Sequence, residues 1–296
     1  MCDEQSFADM IESVRQAEGL SRRSFGALAA GAGMVMALPR VAGAVEVTES
    51  DVQITTPDGV ADCHFVHPAT GTGAAVLVWP DAGGLRPAFK QMGKRLAQSG
   101  YAVLTPNPFY RTRKAGQPPP PAPTAAAVQD AAARAAMTTN MNALTPATHV
   151  IDAKAFIAWL DAQPTVDKKR KIGTTGYCMG GPMVMRTAAT HPGRVGAAGT
   201  FHGGGLATDS ADSPHLLIPQ MKARFVVAIA ANDDERDPKA KDTLRQAFKK
   251  AKLTADVEVY AGTMHGWCPP GGAVYNPAQS ERAWAAMLDL FRKTLA

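Results

Sequence analysis

Five consecutive residues, Gly176-Tyr177-Cys178-Met179-Gly180, carry the clearest chemical signal in this chain. They end an apolar run, Lys171–Tyr177, and open a helix-compatible one, Gly181–Thr190. A reactive residue flanked at two positions by glycines has the form of a strand-to-helix elbow. There the turn is too tight for side chains at the flanking positions. It raises the nucleophile above the C-terminal edge of the sheet, and the following helix N-terminus favours negative charge on the sulfur. The nucleophile expected here is therefore Cys178.

A thiol nucleophile needs a base to take its proton and a further group to orient that base. On a sheet of this kind these follow in the order nucleophile, acid, histidine, each after a later strand. The run Phe225–Ala230 leads into Asn232-Asp233-Asp234, and Asp256–Tyr260 leads into Gly262-Thr263-Met264-His265. His265 is the expected base and Asp233 the expected orienting acid; Asp234 is the alternative acid, or the cap of a following helix. The other histidines past residue 45 read as loop or core residues, except His202. It opens His202-Gly203-Gly204-Gly205 after the run Val195–Phe201, a flexible pocket wall where His202 is a candidate substrate contact.

The elements that must hold these residues follow from periodicity. Apolar runs at Ala74–Trp79, Tyr101–Thr105, Lys171–Tyr177, Val195–Phe201, Phe225–Ala230 and Asp256–Tyr260 read as buried strands. Gly59–Val66 is an earlier strand, forming a hairpin with Val52–Thr55. Helices are expected at Pro87–Gln98, Val150–Ala162, Gly181–Thr190, Pro238–Lys252 and Ser280–Thr294. Unbroken apolar strands alternating with amphipathic helices predict a single α/β domain over 45–296, with a doubly wound, mostly parallel sheet. Residues 112–148 interrupt this rhythm with Pro118–Pro121 and an alanine-rich helical stretch, Thr124–Met137, and read as an insertion.

Taken together, Val78-Trp79-Pro80-Asp81-Ala82-Gly83-Gly84, Asn107-Pro108-Phe109-Tyr110-Arg111, the Cys178 elbow, Asp233 and His265-Gly266-Trp267 resemble the dienelactone hydrolase family, a Cys-His-Asp branch of the α/β-hydrolases. The resemblance covers Val47 to Ala296. It implies an ester or lactone hydrolase working through an acyl-cysteine, with no cofactor and no metal. It implies an oxyanion hole from the backbone N–H groups of Ala82 and Met179. It places Asp81 where the family has a glutamate acting at the cysteine, and Arg111 where the family binds a substrate carboxylate. A second family arginine is replaced here by Pro269. Trp267, Phe109 and Tyr110 become candidate pocket walls. A non-catalytic binding or thiol-redox protein on the same fold is the competing expectation.

Composition sets the outer bounds. The chain has 296 residues, 46% hydrophobic and 19% charged, with a formal net charge of +5, which is ordinary globular usage. Its basic excess is dispersed; Lys168-Lys169-Arg170-Lys171 reads as a solvated turn, so no nucleic-acid partner is expected, only a small-molecule substrate. No apolar run has the roughly 18 residues a membrane helix needs. Arg22-Arg23, the small-residue apolar run Gly26–Leu38 and Ala42-Gly43-Ala44 resemble a twin-arginine export signal, cleaved near Ala44, which predicts a periplasmic or otherwise exported protein. Four cysteines show no metal-site spacing, and a Cys63–Cys268 disulfide is one possibility in an oxidising compartment.

Overall fold

Period-two burial along the central strands builds the molecule. The computed structural model describes residues 38–113 and 130–295. Strand β3 (Ala75–Trp79) is buried end to end, with Ala75, Leu77 and Trp79 in one apolar core and Val76 and Val78 in another. Each face must therefore be covered by helices, as a parallel sheet requires.

Among the described residues eight strands form one sheet: β1 (Val47–Thr56), β2 (Gly59–Pro68), β3, β4 (Ala102–Pro106), β5 (Ile172–Tyr177), β6 (Val195–Phe201), β7 (Arg224–Ala230) and β8 (Ala255–Tyr260). Their spatial order is β1-β2-β4-β3-β5-β6-β7-β8. The pairs β1/β2 and β2/β4 are antiparallel, and every pairing from β4 to β8 is parallel. The expected hairpin is present but longer: β1 starts at Val47, and its partly solvent-facing stretch through Glu49 and Asp51 has no strong apolar signature.

Helices α1 (Pro87–Gln98), α2 (Ala131–Asn142), α3 (Pro146–Ala162), α4 (Gly180–Thr190), α5 (Ala231–Arg236), α6 (Ala240–Lys250) and α7 (Pro277–Thr294) pack around the sheet. Helix α3 begins one turn earlier than expected because Thr145 and Thr148 form a reciprocal capping box over Pro146. Helix α7 likewise begins early, where the Asn276 side chain accepts from Gln279 N. The insertion contributes α2, whose Met137 and Met141 join the core that contains Cys178. The proline-rich half of the insertion and the twin-arginine segment lie outside the described residues. No helix among the described residues is long and apolar enough to cross a membrane.

The connectivity decides where a site can form. From β3 the chain crosses to β4 on one side, and β5 then returns to the other side of β3. That reversal opens a crevice at the carboxyl ends of β3 and β5, where Trp79 lies beside Gly176.

Candidate active site

Cys178 sits at the end of β5 with φ of 54°, a left-handed conformation a cysteine rarely adopts. The turn is locked from both sides: Cys178 N donates to Phe201 O at 3.1 Å, and Gly181 N donates to Cys178 O at 3.0 Å. The flanking glycines are steric necessities. A Cβ on Gly176 would lie 2.3 Å from Gly180 O, and one on Gly180 would lie 2.5 Å from Trp79 O. This close approach draws the start of α4, and with it Met179, against the loop after β3 that carries Ala82. Both residues are buried.

The β3 loop keeps its shape through Asp81. The carboxylate accepts from Gly83 N at 2.8 Å and receives both Nη atoms of Arg86, at 2.5 and 2.8 Å. Arg86 stacks on Phe89, 4.7 Å from its ring centre. Asp81 is thus held in a buried ion pair as the brace of the loop, and its contacts are not to the cysteine.

His265 is fixed at three points. Its backbone N donates to Asn232 Oδ1 at 2.8 Å, and its Nδ1 lies 2.8 Å from Asp233 Oδ2 and 3.1 Å from Oδ1. Thr263 ties the same loop down, donating to Tyr260 O and accepting from Ala231 N. Burial pushes the His265 pKa down, but the Asp233 charge, the Cys178 sulfur and the Asp233 hydrogen bond outweigh it and hold the ring well above its ordinary value. His265 Nε2 makes no hydrogen bond of good geometry, yet the ring is close enough to feel the sulfur. With Nδ1–H given to a carboxylate, Nε2 is the nitrogen that takes the thiol proton, and the raised pKa favours the imidazolium formed beside the ionised sulfur.

Helix phase separates the two aspartates. β7 passes into α5 with no intervening loop, which turns Asp233 to His265 and Asp234 away to Lys241 Nζ, 2.7 Å from each carboxylate oxygen. Arg236 Nη2 adds a bond to Asp233 Oδ1 at 3.1 Å. Asn232, Thr263 and Arg236 were not singled out in the sequence; the one signal for them was adjacency to Asp233 and His265.

Two expected substrate contacts, Arg111 and Trp267, are corrected by their surroundings. Arg111 gives Nη1 and Nη2 to Asp152 at 2.9 and 2.7 Å, and Nε and Nη2 to Asp58 at 2.9 and 2.6 Å. A guanidinium committed to two carboxylates is no open clamp for a third. Trp267 is fully buried, stacked on Tyr260 at 5.4 Å in the core opposite Cys178, so it packs rather than lines a pocket. His202 is also fully buried, edge-on to the His265 ring at 5.1 Å. Cys63 and Cys268 are free buried thiols in different cores, one with the Cys178 face and one with the opposite face, which excludes the disulfide.

Apolar side chains flank the crevice. Phe109 lies against Gly84 of the β3 loop and Leu206 against Gly181 of α4, each within 3.3 Å of where a Cβ would be. A separate cleft of about 250 Å³ touches Asp233, Lys241 and the Gly203–Gly205 run but not Cys178 or His265. Among the described residues no cluster of three or more His, Cys, Asp or Glu is placed to hold a metal ion.

Comparison with known proteins agrees with this architecture. The dienelactone hydrolase family model matches residues 62–295. A carboxymethylenebutenolidase of Rhodococcus opacus is 23% identical over 253 residues, 82% of this chain and 91% of the relative. Among solved structures, the dienelactone hydrolase-like promiscuous phosphotriesterase P91 from metagenomic libraries superposes with a TM-score of 0.67 at 24% identity, covering 86% of this chain and 100% of that one. The dienelactone hydrolase of Anabaena variabilis gives 0.59 at 17% identity, with 84% and 99% covered. At these identities the structures speak for the fold.

Proposed function

The chain belongs to the dienelactone hydrolase family, and on that premise we propose that it hydrolyses an ester or lactone through a thioester on Cys178. The observation that carries the reading is the Asp233–His265 pair at 2.8 Å, presented to a strained cysteine at the head of α4. Cys178 Sγ attacks the carbonyl carbon while His265 Nε2 takes the thiol proton, and Asp233 stabilises the imidazolium. The proton then passes to the departing alkoxide. Water attacks the thioester, gives its proton to His265, and releases the acid and the thiol.

The N–H groups of Ala82 and Met179 are assigned to the developing oxyanion, each worth on the order of 3 kcal/mol in the transition state. The packing of Gly180 on Trp79 O supports this by bringing the two loops together. Phe109 and Leu206 favour an apolar acyl or alcohol group. With Arg111 engaged and Pro269 at the second arginine position, we assign the site to uncharged esters or lactones rather than carboxylate-bearing ones.

Export through the twin-arginine route, with cleavage near Ala44, is part of the same proposal. Replacing Arg22-Arg23 by lysines should leave the protein in the cytoplasm; unchanged export would remove this part.

The test is a panel of short-chain p-nitrophenyl esters with Cys178→Ala and His265→Ala alongside wild type. Turnover lost in both folded variants supports the reading. A Cys178 that alkylates readily in a protein without ester or lactone turnover would favour a binding or thiol-redox role instead.

A further inference from the structure

Two non-glycine residues at neighbouring strand ends share the left-handed conformation: Cys178 at φ 54° after β5 and His202 at φ 41° after β6. Among the described residues the third is Lys252, at φ 57°, just past the end of α6, where such a conformation commonly closes a helix. Three glycines follow His202 at once, so the chain carries a strained histidine where a glycine would adopt the backbone without cost. Strain of this kind persists where a side chain is needed.

The His202 ring has an unusual setting. It is fully buried between His265 and Trp267, with ring centres 5.1 Å away on each side and interplanar angles of 68° and 61°. Neither of its ring nitrogens has a hydrogen-bond partner in another residue, and Trp267 Nε1 beside it is unpartnered too, while His265 Nε2 faces the Cys178 sulfur. Three unpaired buried nitrogens on two touching side chains, next to the base, mark a place for a polar guest, because a buried donor or acceptor left without a partner is costly. Burial and the neighbouring His265 both hold the His202 pKa well below the ordinary value. A neutral imidazole offers one acceptor and one donor.

We propose that His202 holds the water molecule that releases the acyl group from Cys178. The proposal rests on the acyl-cysteine reading above. In the thioester state the water gives one O–H to His265 Nε2 and the other to the acceptor nitrogen of His202, which leaves an oxygen lone pair directed at the carbonyl carbon. The O–C bond forms, the C–S bond breaks, and the proton held by His265 returns to the sulfur. The second water proton stays on the released acid. His202 therefore acts in deacylation and not in the attack of Cys178.

The experiment separates the two half-reactions with p-nitrophenyl butyrate. His202→Phe retains a ring without nitrogens; His202→Gly deletes the group and relieves the backbone, which covers the case in which the phenylalanine variant fails to fold. Expected in both is a nitrophenol burst at a rate within a few-fold of wild type, then turnover slower by about 10²-fold, the scale of a misplaced reactant. Intact mass should show butyryl thioester accumulating, and hydroxylamine, a stronger nucleophile that needs no such positioning, should restore release. Turnover within threefold of wild type, or burst and turnover falling together, would overturn the role of His202. Absence of any butyryl adduct and of any turnover in wild type would overturn the acyl-cysteine reading itself.

Discussion

Exchanging Asp233 for asparagine removes a charge and almost nothing else. The side chain is 11% exposed, its Oδ2 lies 2.8 Å from His265 Nδ1, and the backbone of His265 is held independently by Asn232 at 2.8 Å. The ring should therefore stay in place. What changes is its electrostatics and its tautomer: an amide NH₂ facing Nδ1 puts the ring proton on Nε2, where it blocks uptake of the thiol proton. Two unit charges 2.8 Å apart interact by about 6 kcal/mol at an effective dielectric of about 20. The asparagine dipole recovers part of this, so a loss of roughly 3–5 kcal/mol in the transition state is expected. At 1.36 kcal/mol per decade that is a fall in kcat/KM on the order of 10²–10⁴. Asp234→Asn is the matched control, because that carboxylate is bonded to Lys241 and not to the histidine; it should stay within about twofold. The assay is kcat/KM on a short-chain p-nitrophenyl ester from pH 5 to 9, with circular dichroism melts on the same samples. Asp233→Asn within fivefold of wild type, or Asp234→Asn falling as far, would refute the assignment.

Other consequences follow from the same contacts. Gly180→Ala places a Cβ 2.5 Å from Trp79 O and 2.9 Å from Pro80 O, both backbone atoms. It should destabilise by about 1–3 kcal/mol and lower kcat by about 10²-fold as the β3 loop is pushed away, read by melting and steady-state kinetics. Arg111→Met strands Asp152, which is fully buried, and should lower stability by about 3 kcal/mol, a Tm drop of roughly 10 °C. The same variant should leave the ratio of activities on neutral and carboxylate-bearing esters unchanged; a selective loss on the latter would restore Arg111 as a substrate clamp. The raised His265 pKa fixes the sign of a pH effect. Its protonated form is favoured by the fold, so its contribution is full below the unfolded value near 6.5 and declines as pH rises through the folded value. The Tm advantage of wild type over His265→Gln should accordingly shrink as pH rises above about 6.5; an advantage that grows over that window would contradict the pairing.

Local constraints were legible in the sequence, and constraints set by tertiary partners were not. The elbow could be read because its tightest constraint is local, Gly176 against Gly180 O four residues on, although Gly180 is dictated by Trp79 O of a distant strand. The order of nucleophile, acid and base followed from strand ends. Asp233 was favoured only as the residue nearer the strand end, with Asp234 left as the alternative, because the choice depends on the phase of a helix that starts directly from β7. Arg111 could not be placed either: its partners Asp58 and Asp152 lie 53 and 41 positions away and meet it through the hairpin turn and α3. Trp267 follows the His265 motif closely enough to suggest a pocket wall, yet the turn carries its ring to the opposite core. His202 was marked by its glycines as a pocket residue, while its ring contact with His265 required the register of β6, β7 and β8.

The most direct test of the central claim is where the acyl group resides. Enzyme mixed with p-nitrophenyl butyrate, quenched in acid within seconds and digested, should yield a butyryl thioester on the peptide carrying Cys178. The folded Cys178→Ala variant should give neither adduct nor turnover. An adduct on a serine, or undiminished ester hydrolysis by Cys178→Ala, would contradict the account.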